Sequence, residues 1–480
     1  MTKFYSILIV SFLLCGSLVS AQSGYMQFNP AVRYSRLVID ANLCHFKANT
    51  KDAGFAKYDT DGNLLAESES TPRFDYVPGL VAKAVLAAVD LYRDSVWAKP
   101  WFYSIQAYGD KFAADSRSGG SLDDLNACKM YFSLAGLTGS GATFEDAGRN
   151  AAYQVAKQNA LTGLEDHNDR YSIAQATSEA FSGTDDYAGG WWHKSKYPNE
   201  MWCDGQYMGP ALLALLLADG YTFADMSAAD AWDFLGRQFR MAWSKLWDSD
   251  RQLLWHAFTA TPSRTQTVGW ADQDDSSAHY GVSSEYWGRA AGWYFLALVD
   301  VLELMPQECQ YYPVLREYAN NVAEGLAQRL QPQGAWCQLL AYPVGTVPEG
   351  CTKANYLEAS ASAIFTAAYL KGMRLGLFDT DYSAVAKKAY KGLVENFLTT
   401  DSLLINSCAS AGLSADRDGS AKYYLEGSDT KKITTYTEGK ILGAFVLAAV
   451  EYERLYMPEQ DGSDTDNGSC NCLQVTMKER

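Results

Sequence analysis

The sequence is short of histidine, of basic charge and of long apolar runs. Its five histidines, His45, His167, His193, His256 and His279, show neither HExxH nor any other ligand spacing, so no metal and no cofactor is expected. No GxSxG elbow supports a Ser-His-Asp nucleophile. Lys and Arg number 40 against 56 Asp and Glu, a net charge of -16. Nucleic acid, whose phosphates need a basic footprint, is thereby excluded as a partner. An anionic ligand would have to be met by a few particular Lys and Arg residues. Beyond the first two dozen residues the best apolar run, Tyr207 to Ala218 (YMGPALLALLLA), has about 12 residues where about 20 cross a bilayer, so no membrane anchor is expected.

Cysteine is present but unpatterned. The ten include Cys15 in the leader; the others, Cys44, Cys128, Cys203, Cys309, Cys337, Cys351, Cys408, Cys470 and Cys472, are scattered and odd in number, unlike a disulfide framework or a CxxC metal site. Cys337 with Cys351 spans a short loop and is the one pairing worth testing. Buried free thiols are expected for most.

The chain opens MTKFYSILIVSFLLCGSLVSAQ, with Lys3, an apolar run from Ile7 to Leu14, and Val19, Ser20, Ala21 before Gln22. That order reads as a secretory signal at 1–21, cleaved after Ala21, and predicts a soluble secreted or periplasmic protein. Leu14 stands where a small residue would precede a lipidated Cys15.

Apolar residues recur with helical period over about 78–97, 100–113, 122–136, 144–160, 205–219, 225–245, 285–304, 313–330, 356–375, 382–399 and 438–456. Strand patterns are few: QLLWHAF at 252–258 and AWCQLLAYP at 335–343. The class expected is all-α, and no linker divides the middle of the chain. We therefore read a lead-in at 22–73, one helical domain at 74–456 and a flexible tail at 457–480. Trp and Tyr cluster near helix starts (Trp202, Tyr207; Tyr286, Trp287), and a closed double ring would gather those starts around a central pocket. The polar stretch at about 165–187 reads as a surface insert.

Within that frame, GGWWHKSKYPNEMWCDG (189–205) stands out. An aspartate among aromatic side chains and away from water is disfavoured as an anion and can hold a proton for donation. Trp202, Cys203 and Tyr207 fit such a site around Asp204, although Asp204 equally suits the N-cap of the helix that follows. His193 and Lys194 are adjacent, so only a loop aims both into one pocket. Arg289 and Trp293 lie four apart, placing a guanidinium over an indole and toward a carboxylate, or else forming a buried structural pair. Asp123, in SLDDLNACK, is either a second acid of the pocket or an acid favoured by a helix N-terminus.

Together these stretches resemble glycoside hydrolase family 105, the unsaturated rhamnogalacturonyl hydrolases, and more distantly the family 88 unsaturated glucuronyl hydrolases. The matching phrases are FDYVPGLV (74–81), AYGDKF (107–112), LDDLN (122–126), GGWWHKSKYPNEMWCDGQYMG (189–209), WGRAAGWYFLALVDVL (287–302), NYLEASASAIF (355–365), DRDGS (416–420) and GAFVLAAVE (443–451). The resemblance implies an (α/α)6 toroid and a substrate carrying a 4,5-unsaturated uronic acid, for family 105 galacturonic acid on rhamnose from lyase-cut pectin. It implies protonation of the C4=C5 enol ether, with Asp204 as the catalytic acid and Asp123 as a second acid. It further implies His193, Lys194, Trp202, His256, Trp287, Arg289 and Trp293 as substrate-binding residues. Relatives reach the GG-W-H-K phrase through a segment shorter than the insert at 165–187. The same chemistry on unsaturated glucuronyl oligosaccharides, a glycan-binding toroid without catalysis, and a toroid lyase or epimerase are the alternatives.

Overall fold

A computed structural model of the chain describes residues 24–68, 70–174, 187–262, 269–427 and 433–457. Two kinds of helix alternate along it. One kind is apolar almost all round: every residue from Gly288 to Leu302 in the helix Gly288–Leu304 is buried. Such a helix is covered on every side by protein. The others of this kind are Tyr76–Leu91, Leu122–Asn126 continued through a 3-10 turn into Met130–Thr138, Cys203–Met208 with Pro210–Ala218, Ala359–Arg374 and Gly439–Tyr456. Each packs on the next, and Gly439–Tyr456 returns to Tyr76–Leu91 to close the ring. Closure needs small residues at the crossings. A Cβ on Gly443 would sit 2.6 Å from Leu80 Cγ, and one on Gly79 would sit 2.5 Å from Ala127 Cα.

The second kind is amphipathic. Ala228–Leu246 buries Ala231, Trp232, Leu235, Phe239, Ala242 and Leu246, one stripe at helical spacing, and turns its other face outward. With Lys99–Phe112, Ala147–Arg170, Tyr312–Ala327, Ser383–Phe397 and Tyr34–Asn42 it makes the outer ring. The protein is thus an (α/α)6 toroid of six helical hairpins. All eleven expected helices are present. The sixth outer helix, Tyr34–Asn42, lies within the stretch read as a lead-in and packs on the last inner helix, where Ser35 N and Oγ donate to the two oxygens of Glu453 at 3.0 and 2.5 Å.

The inner helices start at one end, where the chain supplies carboxylates as caps. Asp75 accepts from Val77 N (2.9 Å), Glu358 from Ala361 N (2.6 Å) and Glu438 from Lys440 N (2.7 Å). Short antiparallel pairs fill the crossings between helices. Of the two strand patterns, 252–258 forms Leu253–Leu254 and Ala257–Thr259, the latter pairing with Glu200–Trp202. The segment 335–343 instead makes only isolated bridges, Trp287 to Leu339 and Cys337 to Leu357. Cys337 and Cys351 are free thiols, so the pairing considered for them is not made. Within the insert, 165–170 completes the helix Ala147–Arg170; residues 175–186, the leader at 1–21 and all of the tail after Met457 lie outside the described residues. No described helix is long and apolar enough to cross a membrane.

Candidate active site

At the end where the inner helices begin lies a cavity of about 210 Å³, open to solvent, whose lining includes Asp123, His193, Lys194, Trp202, Asp204, Trp287 and Arg289. These seven come from three separate stretches of sequence, and the rest of the lining adds Asn49, Tyr76 and the segment 410–417.

Asp204 is not the helix cap. Trp202 occupies the N-cap position of Cys203–Met208 with extended backbone, and Asp204 falls in the first turn without making a capping bond. Among the described residues its buried Oδ2 has no hydrogen-bond partner and faces His256 Nε2, likewise unpartnered, across 3.3 Å. The strand pairing explains the encounter: Trp202 lies opposite Ala257 in register, which sets Asp204 beside His256 just outside the ladder. Tyr207, expected as an aromatic neighbour of Asp204, instead turns into the ring and stacks on Trp293 at 4.7 Å.

The indole of Trp202 lies nearly parallel to His193 and Tyr197, with centroids 4.9 and 4.8 Å away. Its Nε1 donates to Glu200 Oε2 at 3.0 Å. Burial pushes the Glu200 carboxyl up to about 8, against the lowering effect of that bond.

Asp123 is held by its neighbours. Burial would raise its carboxyl, but the Lys194 ammonium that donates to Oδ2, together with His193, outweighs burial and holds it below the ordinary range. His193 Nε2 is 3.4 Å from Asp123 Oδ1, and burial pushes the imidazole down to about 4, leaving it neutral near pH 7. Both side chains reach one acid because their loop runs antiparallel to the lead into helix Leu122–Asn126: Leu122 N donates to His193 O (3.3 Å) and Ser195 N to Gly120 O (2.9 Å). His167 clamps the two loops, with Nδ1 2.5 Å from Gly119 O and Nε2 2.9 Å from Trp192 O.

Arg289 is buried at the first turn of its helix. Nε donates to Ser360 Oγ (2.7 Å), and Nη2 donates to Cys408 O and Ser407 Oγ and lies 3.5 Å from Glu358. None of these contacts uses Nη1. The expected stacking on Trp293 is not formed; the guanidinium lies over Trp287, 5.3 Å from its ring. Helical side chains lean toward the N-terminus, so Arg289 reaches back to Trp287 while Trp293 sits one turn deeper, in the core and outside the cavity lining.

A family model described as Glycosyl Hydrolase Family 88 matches residues 54–456. The chain belongs to glycosyl hydrolase family 88. A solved family 105 glycoside hydrolase of Clostridium acetobutylicum is 26% identical, with a TM-score of 0.63 over 88% of this chain and all of that one. The unsaturated 3S-rhamnoglycuronyl hydrolase of Formosa agariphila is 25% identical over 224 residues, 45% of this chain and 50% of that protein. The unsaturated glucuronyl hydrolase of Bacillus sp. GL1 shares the fold at 14% identity, with a TM-score of 0.51.

For this family 88 hydrolase, seven of the nine residues singled out in the sequence line the cavity. His256 is fully buried behind Asp204, and Trp293 belongs to the core. Sequence reading missed Tyr197 and Lys196, which stand inside the quoted 189–205 phrase, and Arg417, inside the DRDGS phrase, all of which line the cavity. Glu200 and Glu358 also stand inside quoted phrases, 189–205 and 355–365, and were passed over because both are hidden from solvent; Tyr424 lies in none of the phrases.

Proposed function

We propose that the protein releases a 4,5-unsaturated uronic acid from the non-reducing end of lyase-generated oligosaccharides, with unsaturated galacturonic acid linked to rhamnose as its preferred unit. One observation carries this reading. Each aspartate keeps a buried oxygen without a partner beside a histidine, but Asp123 also accepts from the Lys194 ammonium, whereas among the described residues no Lys or Arg pairs with Asp204. Retaining and inverting glycosidases employ two carboxylates around the glycosidic carbon. Hydration of an enol ether needs one acid, which fits a single uncommitted carboxylate.

In this mechanism Asp204 delivers its proton to C4. Positive charge develops at C5, next to the ring oxygen, and the new carboxylate stabilises it. Water adds at C5, its proton returns to Asp204, and the resulting hemiketal opens to release the aglycone. The faces of Trp202 and Trp287 suit a flattened sugar ring, and the unused Nη1 of Arg289 suits its carboxylate. The leader read in the sequence at 1–21 supports work on the exported side of the membrane.

The name of the Formosa agariphila relative, which refers to rhamnose, supports the rhamnose-linked preference. That of the Bacillus protein supports a second reading, the same reaction on unsaturated glucuronyl oligosaccharides. The test is loss of ultraviolet absorbance of the conjugated double bond with lyase-cut rhamnogalacturonan and glucuronan side by side, for wild type and Asp204→Asn. Faster loss with the first substrate supports the proposal, and loss with glucuronan alone selects the second reading. Binding without any loss would overturn both in favour of a toroid that holds glycans without cutting them.

A further inference from the structure

Behind Asp204 the polar contacts continue. His256 is fully buried, and its other ring nitrogen, Nδ1, lies 2.6 Å from the hydroxyl of Tyr424, itself fully buried on the short helix Ala421–Glu426. The imidazole cannot swing: it meets the Trp202 ring edge-on at 5.0 Å and the Trp287 ring at 4.8 Å. Tyr424 is fixed in turn, stacked on Trp287 with an interplanar angle of 22°.

A neutral imidazole has one N–H and one lone pair, so a partner on one nitrogen dictates what the other presents. Burial first, then nearby acidic groups, holds the Tyr424 phenol well above its ordinary range, so it keeps its proton. A buried O–H left without an acceptor is costly, and the one contact of this hydroxyl among the described residues is His256 Nδ1. The phenol therefore donates to Nδ1, and the imidazole hydrogen resides on Nε2, the atom facing Asp204 Oδ2.

We infer that Tyr424 is a positioning residue that locks His256 as the Nε2–H tautomer aimed at Asp204. The imidazole can then donate to the carboxylate that Asp204 becomes when its proton leaves. The same arrangement confines the acid proton of Asp204 to its other oxygen. The separation of 3.3 Å closes to a hydrogen bond as the charge forms, since catalytic contacts tighten in the occupied site. The tautomer follows from the His256–Tyr424 contact and the protonated phenol; its use in turnover rests on the function proposed above.

The experiment is nitrogen-15 NMR of the full chain carrying ring-labelled histidine, with the His256 signal assigned by its loss in His256→Asn. Under conditions where its imidazole is neutral, wild type is expected to show the Nε2–H pattern, and Tyr424→Phe an average of the two tautomers. An Nδ1–H pattern in wild type, or an unchanged Nε2–H pattern in Tyr424→Phe, overturns the inference. The wild-type spectrum is decisive even if the variant fails to fold, and it requires no substrate, so absence of turnover on every unsaturated sugar would sink the proposed reaction separately. With an active wild type, Tyr424→Phe should lower kcat about tenfold, the worth of one hydrogen bond, and change KM less than about twofold. An unchanged kcat, or a loss expressed only in KM, would refute the positioning role.

Discussion

Replacing Glu200 by Gln should make the protein more stable, and increasingly so as the pH rises. Glu200 is 1% exposed, and among the described residues its side chain is bonded only to the Trp202 indole; no cation faces it. Its carboxyl is raised from 4.5 to about 8 by burial. Below pH 4.5 folded and unfolded chains both hold the proton. Between 4.5 and 8 only the folded chain does, so each pH unit costs it about 1.36 kcal/mol relative to the unfolded chain, and above 8 the loss is complete. The shift of about 3.5 units amounts to roughly 5 kcal/mol. Glutamine keeps an acceptor for Trp202 Nε1 and cannot ionise. For a chain of 480 residues the unfolding entropy is about 1 kcal/mol per kelvin, so the variant should gain about 5 °C in Tm between pH 4 and pH 8.5 relative to wild type. Scanning calorimetry of both proteins across that range measures the difference, in which every other titrating group cancels. A Tm difference that does not change with pH would show that Glu200 is not held protonated by its surroundings.

Asp204→Asn should lower kcat at least about 100-fold with Tm unchanged or raised, and wild-type turnover in that variant would remove Asp204 from the reaction. Arg289→Ala should raise KM about 10- to 100-fold through loss of a charged contact, and because it strands buried Glu358 it should also lower Tm; an unchanged KM would refute the carboxylate role. Lys194→Met removes the cation that depresses Asp123. A depressed carboxyl contributes stability above its unfolded value near 3.8 and loses it as pH falls, so the variant's stability deficit should be largest at neutral pH and shrink in acid, as read by denaturant titration. Gly325→Ala should cost about 2 to 3 kcal/mol, because its Cβ would fall 1.9 Å from Gln252 O; a neutral effect in urea unfolding would mean that the outer ring yields there.

The all-helical class and eleven of the twelve ring helices were legible because apolar periodicity is local and the inner helices carry it over long runs. Tyr34–Asn42 was not, since nine residues with a polar face give little signal until Gly439–Tyr456 lies beside them. Asp204, Asp123, His193 and Lys194 were legible as candidates because unusual residues crowd into two short phrases. The Arg289 pairing was misread because spacing along a helix records which residues share a face and omits the lean of side chains toward the N-terminus. Two readings stood open for Asp204, cap or acid, and no spacing could separate them. The backbone of Trp202, which takes the N-cap position, removed the cap, and the strand that brings His256 across set the surroundings from which the acid role is proposed.

By itself, then, the sequence determined the all-helical class and which chemical groups were available, because patterning and composition are properties of neighbouring residues; the double ring was what its resemblance to families 105 and 88 implied. Only the tertiary structure decided which carboxylate is paired with a cation and which is not. That difference depends on Lys194 reaching Asp123 and on Tyr424 and His256 standing behind Asp204, contacts between groups up to 168 residues apart, formed where burial removes the water that would otherwise make the two aspartates alike.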